Sequence, residues 1–279
     1  MSALHEQFAR EVASVAGIDS KTLVDAFARV PREDFLGRGP WDVLAFTDGK
    51  PSYRRTPDGD PERILHNVAV AIDSARHLNN GHPSSLMMMI DALRIGPSDS
   101  VLHVGAGVGY YTAILAELGA RVVGIEIDEA LAVRARTNLA RWSNAQVFEG
   151  DGSDTHGTHD AIFVNAGATH PRAEWLGALR PGGRLLVPLT VSAPAGAMPM
   201  LQVPNSNPGM LLFARDGEAR FVGPIYIFDC AGARDPELEP SLRSALFGGR
   251  WKDVHRIRRD PHRAGHDCIV HGGASCLSA

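Results

Sequence analysis

Cysteine is scarce in this chain, with three in 279 residues: Cys230, Cys268 and Cys276. That excludes a disulfide-stapled scaffold and fits free thiols in a reducing compartment. Long apolar runs are missing too. Nothing approaches the ~18 residues of a membrane-spanning helix, and His5, Glu6, Arg10 and Glu11 interrupt any secretory leader. The expectation is a cytoplasmic protein. Positive charge is not in excess: 28 Lys and Arg against 32 Asp and Glu give a net charge of -4, which argues against a general nucleic-acid binder. One basic stretch, Arg250 to Arg263, has only Trp251 interleaved and reads as a solvated face. There is no internal repeat, no low-complexity tract and no Ser-His-Asp or metal-hydrolase motif. Cys268, His271 and Cys276 stand at x2 and x4 spacing, a poor match to zinc patterns. No metal site is expected there.

What is present is an ordinary globular composition, 44% hydrophobic and 22% charged, in a chain long enough to bury a full core. The most informative segment is 101–112, VLHVGAGVGYYT. An apolar run enters a turn with glycines at Gly105, Gly107 and Gly109, and a helical pattern leaves it. Strand, glycine turn and helix start are how an α/β sheet holds a nucleoside-bearing cofactor. The spacing differs from the dinucleotide fingerprint, since Tyr110 stands where that pattern has its last glycine.

Four more apolar runs follow in step. Arg121 to Ile125 ends in Glu126, an acid able to accept hydrogen bonds from both ribose hydroxyls. Ala145 to Glu149 leads to Asp151, an acid able to accept from an adenine amine. Asp160 to Asn165 is a fourth strand, and Leu185 to Leu189 a fifth. Helical patterns at 111–118, 129–142 and 172–179 lie between them, which predicts a parallel sheet with right-handed crossovers. After Leu189 the pattern changes to Met200–Val203, Gly209–Ala214 and Ala219–Ile227, with a hairpin signal at Asp216-Gly217. The expected fold is α/β, a Rossmann-like doubly wound and mostly parallel sheet with an antiparallel C-terminal strand. Residues 1–95 form a helical, substrate-side region, 96–228 the cofactor core and 229–279 an extension packed on it. Helices are expected at 3–16, 20–29, 84–93 and 236–247. Residues 38–63 read as an extended loop, 65–72 as a short strand, and the last 20 residues show no pattern.

These segments, VLHVGAGVGYYTAILAEL, VVGIEID, GDGSD, DAIFVNAGA and LRPGGRLLVPL, resemble class I S-adenosylmethionine-dependent methyltransferases, and more closely protein-L-isoaspartate O-methyltransferases. Residues 30–35, VPREDF, are similar to a family segment before the core. The resemblance implies S-adenosyl-L-methionine as methyl donor and S-adenosyl-L-homocysteine as product. It implies that Gly105, Ala106, Gly107 and Gly109 cradle the methionine portion, Glu126 binds the ribose, Ile127 meets the adenine face, and Asp151 and Gly152 meet its edge. Asn165 borders the methyl-transfer site. His103 stands where the family has an acidic residue near the cofactor's ammonium end. The family's Gln-Thr-Ile-Ser-like substrate stretch is replaced by Asn79 to Ser85, and Ala166 to Pro171 also departs from the pattern. These departures predict weak or absent activity on isoaspartyl peptides compared with a standard member.

His82, Ser84, Ser85, Thr169 and His170 are the candidates around the acceptor. A carboxylate acceptor is ionised at neutral pH and needs no base, whereas a hydroxyl acceptor would call for one of the histidines. Ser84 or Ser85 could hold the acceptor, or cap the following helix. The expected function is O-methylation of a protein or peptide carboxylate of the isoaspartyl type. Two alternatives stay open: a methyltransferase acting on another peptide or small molecule, and a catalytically inactive cofactor-binding or regulatory protein.

Overall fold

The computed structural model of the chain describes residues 2–47, 50–193, 205–272 and 275–279. Three helices open the chain, α1 (Ala3–Ala16), α2 (Lys21–Arg29) and α3 (Arg32–Leu36). Two small antiparallel pairs follow, β1 (Asp42–Thr47) with β2 (Lys50–Arg55), and β3 (Ala71–Asp73) with β4 (Leu78–Asn79). Helix α4 (Pro83–Leu93) comes next, with Pro83 in its first turn, where a missing amide is tolerated. Met87 and Met89 on it are buried while Met88 is exposed, as consecutive helical positions require.

The core then alternates strictly: β5 (Ser100–Val104), α5 (Tyr110–Glu117), β6 (Arg121–Glu126), α6 (Glu129–Asn138), β7 (Ala145–Glu149), β8 (His159–Val164), α7 (Ala173–Ala178) and β9 (Leu179–Thr190). The remainder is β10 (Ser206–Arg215), β11 (Glu218–Phe228), α8 (Glu239–Phe247), β12 (Arg256–Arg258), β13 (Cys268–His271) and β14 (Cys276–Ser278). One ten-stranded sheet results, in the order β13-β14-β12-β11-β10-β9-β8-β5-β6-β7. Strands β5 to β9 pair in parallel and the others antiparallel. From β5 the chain moves to β6 and β7 on one side, then to β8 and β9 on the other. The order reverses beside β5, and a crevice opens there at the carboxyl ends of the strands.

Burial explains why these segments behave as they do. Four of the five residues of β5 are buried, because helices cover both faces of a central parallel strand. Helix α5 is buried at seven of its eight positions. One side lies on the sheet, and the N-terminal helices cover the other. Phe27 and Phe35 set their rings edge-on to Tyr110, with centroids 6.3 and 5.5 Å away. This packing brings the N-terminal region over the crevice. The turn between β10 and β11 is Asp216-Gly217, at φ +50° and +82°, the left-handed pair that a two-residue hairpin needs.

Three segments differ from the sequence reading. Residues 38–63, expected as a loop, contain the β1–β2 hairpin. Only Leu44 of its apolar residues is well buried and Phe46 is exposed, so alternation is weak. Residues 65–72, expected as a strand, are extended only at their end. The carbonyls of Ile64, His66 and Val68 accept from the Arg32 guanidinium at 2.6, 3.1 and 2.6 Å and so have no partner strand. The tail beyond residue 255 forms three strands too short to show a period. The expected strand Met200–Val203 lies outside the described residues. No helix among the described residues is long and apolar enough to cross a membrane.

Candidate cofactor and acceptor site

A cavity of about 580 Å³ opens at the carboxyl ends of β5, β6 and β8, within the size range of ligand sites. Its floor is the glycine turn. The amides of Gly105 and Ala106 donate to Ile125 O at 2.9 and 3.0 Å, so the turn folds over the end of β6. Gly107 has φ +56°, and a Cβ there would find nothing nearer than Ile72 at 3.9 Å. Its backbone is bare toward the cavity. Gly109 does something else. A Cβ on it would come within 3.1 Å of Leu139 and 3.3 Å of the Ala135 backbone, so its role is close packing of α5 on α6, and it does not line the cavity.

Glu126 closes β6 with 7% exposure. Its Oε2 accepts from the Gly107 amide at 2.7 Å and its Oε1 from the Asp128 amide at 3.1 Å. Burial pushes its pKa up, while the amides of Asp128 and Gly107 pull it down. Each oxygen keeps a lone pair for a ligand. Ile127 beside it is 53% exposed, an apolar plate on the cavity wall. Asp151 also lines the cavity. Hydrogen bonds from Ser153 hold its pKa down, and Arg172, 3.5 Å away, adds to this. Asn165 follows β8 and reaches back to Gly105 O at 3.4 Å. The size, the bare backbone, the two acids and the apolar plate fit a nucleoside-bearing donor.

His103 is a correction. Val104 lines the cavity, and successive strand residues face opposite ways. His103 therefore points into the protein and has no exposure. Its Nδ1 lies 2.9 Å from Thr112 Oγ1 and its ring stacks on Phe163. Burial drives its pKa down to about 3, so it is neutral and cannot hold a cofactor by charge. Gly152 is a second correction. It sits behind the wall, and its carbonyl accepts from Trp175 Nε1 at 2.9 Å.

The acceptor candidates separate into two groups. His82 and Ser85 line the cavity, on the side formed by the start of α4. Burial lowers the His82 pKa, against a hydrogen bond to the Asn67 backbone. Ser84, Thr169 and His170 stand outside the cavity, contrary to expectation. The Ser84 amide donates to Asn67 Oδ1 at 2.9 Å. Thr169 is fully buried and pins the C-terminal segment: its Oγ1 accepts from the Asp235 amide at 2.8 Å and its own amide donates to Ala233 O at 3.0 Å. His170 Nδ1 lies 3.1 Å from the same hydroxyl.

Several contributors escaped the sequence reading. Arg32 has no exposure and burial lowers its pKa. Besides the three carbonyls it donates to Asn80 Oδ1 at 3.1 Å. Asn80 thereby lines the cavity with its Nδ2 buried and without a partner among the described residues. The Tyr110 and Tyr111 hydroxyls are in the same position. Arg76 joins the two halves of the site by pairing with Asp73 at 2.7 Å and with Asp128. Arg32 lies in the VPREDF segment and the tyrosines in the glycine motif; Arg76 has no sequence signal.

Comparison with known proteins agrees with this geometry. A family model described as protein-L-isoaspartate(D-aspartate) O-methyltransferase matches residues 62–225. The chain is similar to a protein-L-isoaspartate O-methyltransferase of Methylorubrum populi, 32% identical over 75% of this chain and 86% of the relative. It is similar to another of Gloeobacter violaceus, 31% identical over 74% of this chain and 91% of the relative. In fold it is similar to a solved protein-L-isoaspartate O-methyltransferase, with a TM-score of 0.58 and 19% identity over 86% of this chain and 69% of the other. A second solved structure, a putative enzyme of that name from Plasmodium falciparum in complex with S-adenosyl-L-homocysteine, has a TM-score of 0.57 and 14% identity over 81% of this chain and 97% of the other. The chain belongs to the protein-L-isoaspartate(D-aspartate) O-methyltransferase family and is an S-adenosylmethionine-dependent methyltransferase.

Proposed function

We propose that the cavity takes S-adenosylmethionine against the β5 and β6 ends and a protein or peptide carboxylate of the isoaspartyl type against the start of α4. One observation carries this reading: the Gly105–Val108 part of the turn, Glu126, and Asn79 to His82 with Ser85 border a single cavity. The donor supplies a methyl electrophile with a neutral leaving group. The chain's own residues bind and orient. The bare backbone at Gly107 receives the amino-acid portion, Glu126 accepts from the ribose, Ile127 covers the adenine and Asp151 takes its amine. Residues 1–95 act as the acceptor side, 96–228 as the donor side, and 229–279 as a support.

A carboxylate with a pKa of ~4 is ionised at neutral pH and needs no base. Alignment is then the main catalytic task, capable of supplying ~7–11 kcal/mol. His82, with its pKa lowered, is neutral at pH 7 and serves as a hydrogen-bond partner. Ser85 and Asn80 Nδ2, which has no partner among the described residues, are donors for the acceptor carboxylate. Phe46 and Tyr226, both exposed and on the cavity lining, suit an extended peptide. The setting is cytoplasmic protein modification.

The test is methyl transfer from radiolabelled donor to an isoaspartyl hexapeptide, with the aspartyl peptide as control. Base-labile label on the isoaspartyl peptide alone is expected, at a lower rate than a standard family member gives. Donor binding with label passing only to other peptides or small molecules would overturn the acceptor assignment. Binding without any transfer would overturn catalysis.

A further inference from the structure

A second cluster of reactive side chains lies at the other edge of the sheet. His262, Cys268, His271 and Cys276 each bring one ligand atom to within 4.8 Å of the others. Spacing in the sequence argues against a metal because it presents three ligands in an unfamiliar pattern. The fold adds a fourth, His262, from the loop before β13.

The backbone builds this cluster in a specific way. Strands β13 and β14 are antiparallel, with His271 opposite Cys276. Cys268 and His271 are three residues apart, which in a regular strand means opposite faces. The register shifts between Cys268 and Val270, and the extra residue of this bulge brings Cys268 and His271 to one face. Ile269 and Val270 both turn into the core. His262 Nδ1 lies 2.7 Å from Asp260 O. A carbonyl only accepts, so Nδ1 carries the proton and Nε2 presents its lone pair, 3.5 Å from Cys268 Sγ. His271 Nδ1 is buried with no hydrogen-bond partner among the described residues, a costly state for a polar atom.

We propose that these four side chains bind one zinc ion in a closed Cys2His2 site that fastens the C-terminal segment to the sheet. Two thiolates and two imidazoles in a compact cluster are a zinc donor set. Bonds of about 2.3 Å to sulfur and 2.0 Å to nitrogen put tetrahedral ligand atoms about 3.3–3.8 Å apart. The widest pair therefore closes by about 1 Å on binding. Cys268 and Cys276 each release a proton to solvent, the two imidazoles donate lone pairs, and nothing is oxidised; the centre is neutral. The Gly265 amide donates to Cys268 Sγ at 3.3 Å, which favours the thiolate. Arg258 is nearby but already paired with Asp260 at 2.7 Å and Asp267 at 3.2 Å.

All four positions come from the protein, so no coordination site is left for a substrate and the role is structural. The need is visible in the strands. β12, β13 and β14 have three, four and three residues, and β12 meets β11 at one register pair, Glu218 with Arg256. Strands this short hold poorly by themselves, and metal-binding energy becomes folding energy here.

The experiment uses full-length, tag-free protein purified with reductant and without chelator. Elemental analysis is expected to find about one zinc per chain. Cobalt exchanged into the wild-type protein is expected to show the intense visible bands of a tetrahedral sulfur–nitrogen site, and H262A and C276S to lose both metal and bands. Three results would overturn the proposal: reduced wild-type protein that takes up neither zinc nor cobalt, a Cys268–Cys276 disulfide in its mass spectrum, or variants that hold metal as the wild type does.

Discussion

The Gly107 amide donates to Glu126 Oε2 across 2.7 Å. One carboxylate thus holds the glycine turn while its other acceptor positions face the cavity. Glu126→Gln keeps the shape but replaces one acceptor oxygen with a donor. A hydrogen bond to a charged group contributes ~1.5–3 kcal/mol, so affinity for S-adenosylhomocysteine is expected to fall about 10- to 150-fold by calorimetry. Wild-type affinity in the variant would remove Glu126 from the ribose.

Protonation of the same carboxylate sets a pH dependence. Burial raises its pKa, so the proton arrives at a pH above the ~4.3 of a free glutamate. The acceptor is lost as pH falls through that point, and donor affinity should fall with it. In Glu126→Gln the same window should be flatter. Titrations of both proteins from pH 7 downward decide the matter; parallel curves would refute it.

The two groups of acceptor candidates should behave differently. Ser85→Ala and His82→Gln, both on the cavity wall, are expected to raise KM for the peptide. Because a carboxylate needs no base, His82→Gln should leave the shape of the kcat–pH profile unchanged. Ser84→Ala, outside the cavity, should alter kcat/KM by less than about 2-fold. A lost acid-side limb in His82→Gln would instead mark a proton acceptor and a different acceptor class.

The legible part of the molecule was the part with short-range rules. The strand–turn–helix of 101–112, the strand ending at Glu126 and the Asp216-Gly217 hairpin are each dictated by neighbours in sequence, and their local structure is as read. Gly109 and His103 were harder. Both belong to the motif, yet one meets α6 and the other lies beneath the cavity, which depends on which way a strand residue faces. The acceptor wall was least legible. Asn80 is held by Arg32, 48 residues earlier, and Arg76 by Asp128, 52 residues later. Such pairings leave no local trace. The cluster in the tail left no local trace either, since only the folded loop brings His262 to the cysteines.

Arg32 deserves a direct test because it acts without touching the cavity. Arg32→Met would leave the Ile64 and Val68 carbonyls without their donor, while His66 O keeps the Val68 amide and Asn80 Oδ1 the Val70 amide. Unsatisfied buried acceptors cost about 1–3 kcal/mol each, so a loss of about 2–6 kcal/mol is expected in urea unfolding. Peptide KM should rise with it, while donor affinity changes little. Loss of donor affinity instead would show that Arg32 supports the β5–β6 side.

His103 gives the last prediction its sign. Its folded pKa is depressed from 6.5 to about 3 by burial, so the folded state excludes a proton that the unfolded chain accepts. The stability this contributes is complete above pH 6.5 and is lost as pH falls toward about 3, at up to about 1.4 kcal/mol per pH unit. His103→Asn keeps a polar partner for Thr112 but does not titrate. Its urea midpoint should therefore fall less steeply than that of the wild type over this range. Donor affinity should stay within about 2-fold, since His103 lies off the cavity. Equal acid slopes would mean that the ring is protonated inside the fold.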